Sequence, residues 1–273
     1  IAFGGGTPGL ETETWNGTNW TATTNMATPR KRAGGAGANN TAALAFGGES
    51  PGTFNATEEW NTGVAVGTWS TGGTLNNGRE IYGTAGTQTA ALVFGNGPDN
   101  NKTESYNGSN WTNVNPLTTG RSTLAGAGTQ TAALAFGGVE APAGVTELWN
   151  GTNWTEVNDL NSTRIGLAGA GTSTAGVNCA GLLSPGAVTG ATSEWDGSNW
   201  TTSGAMITAR SLVGTAGTQT DGLIAGGYTT ANSAVSEGYD GTSWSTRPSL
   251  ALARQAPGGL GTNSVSTASL VCG

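Results

Sequence analysis

The chain has 273 residues and a formal net charge of −7, from 17 acidic and 10 basic side chains. This acidic balance, with no run of basic residues, excludes the attraction to phosphate backbones on which nucleic-acid binding depends. The absence of histidine removes the usual general base and the imidazole ligands of zinc and copper sites. No apolar run approaches the length of a membrane-spanning helix, so no membrane insertion is expected.

The first segments of the chain predict short strands. An apolar segment, IAFGG, occupies residues 1–5, and TETW at 12–15 leads through the turn residues NGTN to a third segment that opens at Trp20. Asn-Gly pairs tolerate the positive φ angles of tight hairpin turns, so residues around this turn are predicted to form two antiparallel strands. An isolated hairpin is barely stable in water, so we expect it to pack against further copies.

The same order of segments returns along the chain. A Gly- and Ala-rich strand led by an arginine is followed by an apolar strand such as TAALAFGG at 41–48, and then by the aromatic hairpin. The arginines recur every 42 to 49 residues, at Arg30, Arg79, Arg121, Arg164, Arg210 and Arg254. The aromatic turns occupy 15–20, 60–69, 106–111, 149–154, 195–200 and 239–244.

Four short strands in roughly 45 residues are the unit of a propeller blade. We therefore predict an all-β fold, a six-bladed β-propeller of four-stranded antiparallel blades, formed by residues 1–273 as a single domain. The N-terminal repeat lacks its own arginine-led strand, and RQAPGGLGT at 254–262 can supply it, so the ring is predicted to close by joining N- and C-terminal strands. The segment LVCG at 270–273 aligns to the same position as residues 1–5 and is a surplus copy.

The repeats resemble those of the Kelch family of β-propellers. The resemblance rests on Gly-Gly doublets such as Gly47-Gly48, on the Glu-x-Trp/Tyr strand, on the tryptophan that follows the turn, and on the arginine before the next strand. The units AGTQTAALAFGG and WNGTNWT are also similar to Kelch-like repeats of virion and tail-associated proteins of marine bacteriophages. One fold hosts many functions, so this resemblance indicates the fold more strongly than the function.

Two interpretations of the six arginines are open. In the structural one, each arginine pairs with a glutamate or with carbonyl groups, or stacks on a tryptophan, at a blade junction. In the functional one, the arginines form a cationic ring near the central channel that holds acidic groups; the Kelch resemblance implies this use, since family members bind acidic peptides with arginines at this position. Repeated polar groups usually satisfy the scaffold, which favours the structural interpretation.

The repeated glutamates and tryptophans are expected to serve the blades. Five of the twelve glutamates share one repeat position: Glu13, Glu58, Glu104, Glu147 and Glu237. A carboxylate present in nearly every blade is unsuited to a single reaction centre, so no catalytic residue, metal or cofactor is predicted and the chain is expected not to be an enzyme. The tryptophans after the turns match the Kelch packing position and are expected in the core: Trp20, Trp69, Trp111, Trp154, Trp200 and Trp244.

The two cysteines, Cys179 and Cys272, share the repeat position that Phe46, Phe94 and Phe136 fill elsewhere. We interpret them as small buried hydrophobic residues. A disulfide is the alternative, although equivalent positions in non-adjacent blades are expected to be too distant to bridge.

The resemblance implies a non-enzymatic structural or adhesion protein on a virion surface or tail. Its partners would be other virion proteins or a host-surface receptor or glycan, and several copies could assemble in one particle. The alternative is a secreted, extracellular bacterial lectin-like propeller that binds glycans through exposed tryptophans. In either case the partner is expected at the loops that differ most between repeats, such as 95–101 and 138–144.

Overall fold

A computed structural model describes residues 1–5, 9–49, 51–62, 67–80, 82–96, 100–139, 144–184 and 186–255. These residues form antiparallel sheets joined by turns and loops, and no helix occurs among them, so none of the described part could cross a membrane as a helix. Six sheets form the blades of a ring, as predicted, and are numbered here in chain order.

Each blade contains consecutive strands. Blade 1 holds β1 (Ala2–Phe3), β2 (Thr12–Trp15) and β3 (Trp20–Thr23). Blade 2 holds β4 (Gly34–Asn39), β5 (Ala42–Phe46), β6 (Thr57–Asn61) and β7 (Thr68–Gly72). Blade 3 holds β8 (Gly83–Thr87), β9 (Ala90–Phe94), β10 (Thr103–Tyr106) and β11 (Trp111–Val114).

The second half of the ring has the same plan. Blade 4 holds β12 (Ala125–Gly128), β13 (Ala133–Phe136), β14 (Thr146–Trp149) and β15 (Trp154–Val157). Blade 5 holds β16 (Ala168–Gly171), β17 (Gly176–Cys179), β20 (Thr192–Trp195) and β21 (Trp200–Ser203), with a small hairpin of β18 (Leu182–Leu183) and β19 (Ala187–Val188) between its second and third strands. Blade 6 holds β22 (Gly214–Thr218), β23 (Asp221–Ala225), β24 (Ser236–Tyr239) and β25 (Trp244–Arg247).

The innermost strands owe their close approach to small residues. A Cβ atom added to Gly126 of β12 would lie 2.5 Å from the carbonyl oxygen of Thr84 in the neighbouring blade. One added to Gly169 of β16 would lie 2.7 Å from the carbonyl oxygen of Gly126. Larger residues would therefore push adjacent blades apart at the centre of the ring, which explains the Gly- and Ala-rich segments after each arginine.

Aromatic rings fill the space between neighbouring blades. Phe46 of blade 2 meets Trp111 of blade 3 edge to face, with ring centroids 4.9 Å apart. Phe136 of blade 4 meets Trp200 of blade 5 in the same geometry at 5.0 Å. Such offset or edge-on contacts are the favoured arrangement of aromatic pairs and add to the free energy gained by burial.

The two ends of the described chain meet, so the ring is closed. Trp15 packs in one apolar cluster with Leu223 and Leu250 of blade 6. Arg254, at the C-terminal end of the described chain, forms an ion pair with Glu13 of blade 1 at 2.5 Å. Arg254 therefore belongs to blade 1, as predicted from the repeat. Of the segment 254–262 only residues 254 and 255 are described, and the surplus segment 270–273 lies outside the described residues.

Two details differ from the sequence-based predictions or extend them. The innermost strands do not start at the arginines: β4 begins at Gly34, after Arg30, because the arginine lies in the connection before the strand. Cys179 is a free, buried thiol at the end of β17, where blades 1 to 4 place phenylalanine and blade 6 places Ala225, and burial raises its pKa to about 12. Cys272 lies outside the described residues.

Strand direction assigns every connection to one of two faces. The loop face carries the linkers between blades and the loops between second and third strands of a blade. The described residues of these linkers fall within 24–33, 73–82, 115–124, 158–167, 204–213 and 248–255, and those of these loops within 4–11, 47–56, 95–102, 137–145, 180–191 and 226–235. Within these ranges, residues 6–8, 50, 81, 97–99, 140–143 and 185 lie outside the described residues. The turn face, on the opposite side of the ring, carries the short turns between first and second strands and between third and fourth strands.

Candidate functional site

The six arginines lie inside the blades, under the linkers of the loop face. Each side chain is at most 1% exposed. Five of them pair with the repeated glutamates at 2.5 to 2.8 Å: Arg30–Glu58, Arg79–Glu104, Arg121–Glu147, Arg210–Glu237 and Arg254–Glu13. In blade 4, Arg121 also donates to the carbonyl oxygens of Gly137 and Val145, so one side chain ties the loop to the third strand.

The glutamate of each pair also fixes the linker in front of the arginine. In blade 4, Glu147 accepts hydrogen bonds from the backbone amides of Thr118 and Thr119 and from the Thr118 hydroxyl. In blade 6, Glu237 accepts from the amides of Ile207 and Thr208 in the same way. The carboxylate therefore joins the buried cation to the polypeptide that crosses between blades.

Burial controls the electrostatics of this network. Desolvation lowers the pKa of the Arg30 and Arg121 guanidinium groups, while the facing carboxylates of Glu58 and Glu147 act in the opposite direction. A guanidinium group keeps its charge in proteins, so each buried arginine needs its partner. This geometry favours the structural interpretation, because the proposed cationic ring presents no exposed guanidinium group.

A second repeated contact joins each blade to the one before it. In every blade, the indole nitrogen of the tryptophan that follows the aromatic turn donates to a Thr or Ser hydroxyl of the preceding blade at 2.9 to 3.2 Å. The pairs are Trp20–Ser236, Trp69–Thr12, Trp111–Thr57, Trp154–Thr103, Trp200–Thr146 and Trp244–Thr192. These hydroxyl residues were not predicted from the sequence, although a Thr or Ser opens the third strand of the repeat in every blade.

The tryptophans are thus engaged in the scaffold. Trp111, Trp154, Trp200 and Trp244 are at most 9% exposed, and Trp20 and Trp69 are half-buried against apolar clusters. Their rings and indole nitrogens face neighbouring blades, which supports the expectation that they form the core.

The exposed apolar side chains lie on the loop face. The large hydrophobic residues with the greatest exposure in the described part of the chain are Ile207 (60%), Leu252 (41%), Val139 (39%) and Tyr228 (37%). Ile207 and Leu252 lie in linkers, and Val139 and Tyr228 lie in loops between second and third strands. These four residues, here called the apolar loop-face set, belong to blades 4 to 6 and the linkers beside them.

Charged side chains occupy another sector of the loop face. Glu49 pairs with Lys31 at 3.2 Å and with Arg32 at 3.4 Å, and Arg32 reaches Glu80 at 3.2 Å. These charged side chains lie on the connections of blades 2 and 3, whereas the apolar loop-face set lies on those of blades 4 to 6. Among the described residues, no group of three or more Cys, Asp or Glu side chains is placed to hold a metal ion.

The turn face is built from repeated polar turns. Asn16 of the first aromatic turn accepts hydrogen bonds from the amides of Thr18 and Asn19 through Oδ1. Asp196 takes the same position in blade 5 and accepts from the amides of Ser198 and Asn199, both at 2.7 Å. Side-chain oxygens that cap their own turn in this way stabilise it locally.

The contribution of the turn aspartates to the stability of the fold depends on pH. Amides of Asn199 and Ser198 lower the pKa of Asp196 below its ordinary 3.8, and amides of Ser243 and Thr242 lower the pKa of Asp240 similarly. A depressed folded-state pKa stabilises the fold above the ordinary pKa, and this contribution is lost as the pH falls through the lower value. We expect the double variant Asp196→Asn/Asp240→Asn to be slightly less stable than wild type at pH 7.

The measurement is urea denaturation of wild type and variant between pH 7 and pH 2.5. The difference in unfolding free energy should shrink below pH 4, close to the ordinary pKa of 3.8. A difference that stays constant over this range would mean that the aspartate charges contribute nothing to the turns.

Comparison with known proteins supports the fold and leaves function open. No protein-family model matches the chain, and no curated protein matches it in sequence. In contrast, 223 chains of solved structures match, so the fold is common and does not by itself select a function. One of them, titled "Structure of YjhT", aligns with a TM-score of 0.71 over 85% of this chain and 87% of that chain, at 14% sequence identity.

Proposed function

We propose that this propeller is a non-enzymatic attachment or assembly protein of a phage virion or tail, which binds its partner through the loop face. The observation that carries the proposal is that all four large hydrophobic side chains of the apolar loop-face set are exposed on one face of the ring, where a partner would bury them. The similarity of the repeats to Kelch-like repeats of bacteriophage virion and tail proteins supplies the biological context.

Repeated and variable residues have different roles in this fold, which supports the proposal that the loop face binds a partner. The buried Arg–Glu pairs and the Trp–Thr contacts recur from blade to blade and hold the ring together. The apolar loop-face set is less regular: the linker position of Ile207 is Ala27 in blade 2 and Thr118 in blade 4, and the position of Val139 and Tyr228 after the Gly-Gly doublet is Glu49 in blade 2. Side chains that vary on a fixed scaffold suit recognition of a particular partner.

The lectin alternative has less support. Glycan binding by propellers through stacking requires exposed aromatic rings, whereas four of the six repeated tryptophans are buried and the other two are half-buried. Among the described residues, Tyr228 is the one aromatic residue that is largely exposed to solvent. Glycan-array binding that depends on an exposed aromatic residue would revive this alternative.

The attachment proposal is tested by the location of the native protein. Fractionation of the native source, followed by immunogold imaging of purified particles, should find the chain on virions or tails. A chain recovered entirely from host cytoplasm, unattached to any particle, would contradict the proposal.

The non-enzymatic part of the proposal has its own test. Screening of purified protein against glycoside and ester substrates should detect no turnover, because the repeated carboxylates form ion pairs with buried arginines. Turnover that a single carboxylate substitution abolishes would overturn this part.

A further inference from the structure

Blade 5 departs from the other blades at the buried arginine. Where the others place the repeated glutamate, blade 5 has Ser193. Directly across the strand pair, it has Asn178, where blades 2 and 4 have Ala45 and Ala135 opposite their glutamates. Arg164 therefore faces a serine and an asparagine in place of a carboxylate and a small apolar residue.

The partners of Arg164 are all neutral. One terminal nitrogen donates to the carbonyl oxygens of Ala191, at 2.6 Å, and Ala180, at 3.3 Å. The other donates to Asn178 Oδ1 and, at 3.2 Å, to Ser193 Oγ. The side chain is 1% exposed, and no carboxylate of the described residues pairs with it. A buried charge with no counter-charge is strongly unfavourable, so this position calls for an anion.

Hydrogen-bond donors that could bind an anion occur on the segments next to Arg164. Asn178 Nδ2 is buried and has no hydrogen-bond partner. The preceding linker is equivalent to the one in blade 4, whose amides at Thr118 and Thr119 bind Glu147. In blade 5 the corresponding amides belong to Asn161 and Ser162, and no described carboxylate accepts from them. Blade 5 thus keeps the arginine and the linker amides that bind a carboxylate in other blades, but it lacks the glutamate that supplies this carboxylate.

We propose that blade 5 binds a small monovalent carboxylate of formate or acetate size between Arg164, Ser193 and the linker amides of Asn161 and Ser162. The anion would take the place that the Glu147 carboxylate has against the linker amides of blade 4. Asn161 is exposed and Ser162 half-buried, so one linker of the loop face separates the site from solvent. The bound anion would neutralise the guanidinium group and tie down this linker.

Formate is the probe for the test. Wild-type protein should show a saturable rise in Tm of about 2–4 °C in sodium formate at tenfold its Kd, relative to sodium chloride of equal ionic strength. Titration with 13C-labelled formate should give one bound anion per chain. Equal Tm values in the two salts, or no bound formate, would overturn the proposal.

Two variants locate the effect. Ser193→Glu/Asn178→Ala rebuilds the pair of the other blades, so its Tm should no longer respond to formate. Glu147→Ser/Ala135→Asn in blade 4 creates a second copy of the blade 5 arrangement, so formate should restore part of its lost stability and its titration should approach two bound anions per chain. An undiminished formate response in the first variant, or no rescue in a folded second variant, would show that the anion binds elsewhere.

Discussion

Glu147→Ala is expected to lower the free energy of unfolding by about 3–5 kcal/mol, because it leaves Arg121 as a buried charge with no counter-charge. The side chains of both residues are fully buried, and their nitrogen and oxygen atoms lie 2.8 Å apart. The substitution also removes the acceptor for the amides of Thr118 and Thr119, so the linker in front of blade 4 should loosen. Urea denaturation with a circular-dichroism readout measures the loss.

Matched variants test whether burial of the Arg121–Glu147 pair causes this large loss of stability. Glu49→Ala removes a carboxylate from the partly exposed pairs with Lys31 and Arg32 and should cost no more than about 1 kcal/mol. Arg121→Met/Glu147→Leu replaces both charges by apolar groups and should cost much less than either single substitution. Equal losses for Glu147→Ala and Glu49→Ala would contradict the structural role of the buried pair.

Arg121→Ala separates the two interpretations of the arginines. If the arginine is structural, the variant should lose about 1–3 kcal/mol or more, because the Glu147 carboxylate is left buried without its cation. If Arg121 instead binds an acidic ligand, stability should hold while ligand binding falls. Unchanged stability combined with lost binding would favour the cationic ring.

Trp200→Ala is expected to cost about 3–5 kcal/mol, the usual range for truncating a large buried aromatic residue. Trp200 is 4% exposed and packs on Phe136 of the preceding blade, with ring centroids 5.0 Å apart. Its indole nitrogen donates to Thr146 Oγ1 at 3.0 Å, so the substitution removes both the packing and the hydrogen bond between blades 4 and 5. Thermal and urea unfolding measure the effect.

Smaller substitutions separate the contributions of ring packing and of the hydrogen bond to the effect of Trp200→Ala. Trp200→Phe keeps most of the ring packing and loses the hydrogen bond, so the loss should be smaller than for alanine. Thr146→Val keeps the shape of the partner but leaves the indole nitrogen buried without an acceptor, at a cost of about 1–3 kcal/mol. Thr201→Ala, on the exposed side of β21, should change stability little. If Trp200→Ala costs no more than Thr201→Ala, the contact between blades does not hold the ring together.

Much of the fold follows from the sequence because each blade repeats its chemistry. Six arginines and six aromatic turns predict six blades, and the repeat position of Arg254 predicts its pairing with the first blade. The structure places Arg254 against Glu13, 241 residues away in the chain. Periodicity identifies equivalent residues even at this separation, because the same local sequence meets the same neighbours in each blade.

The partners of the repeated residues were harder to predict. The hydroxyl that accepts from Trp200 lies 54 residues earlier, in the preceding blade, and nothing in a single repeat shows which neighbour it faces. Likewise, Gly- and Ala-rich segments extend from the arginines into the strands, so composition does not mark where β4 begins. The grouping of Ile207, Leu252, Val139 and Tyr228 on one face required the strand directions, because only Val139 and Tyr228 share a repeat position, directly after a Gly-Gly doublet.

The most direct test of the account compares the two faces of the ring in partner binding. Purified protein is co-sedimented with particles and with host-cell envelopes from its native source, as wild type, as Ile207→Ser/Leu252→Ser on the loop face, and as Thr18→Ala/Thr152→Ala on the turn face. All four positions are exposed, so the variants should keep the wild-type Tm. The loop-face variant is expected to lose at least about tenfold in affinity, about 1.4 kcal/mol, while the turn-face variant should bind like wild type. Wild-type affinity in the loop-face variant, or a loss confined to the turn-face variant, would contradict it.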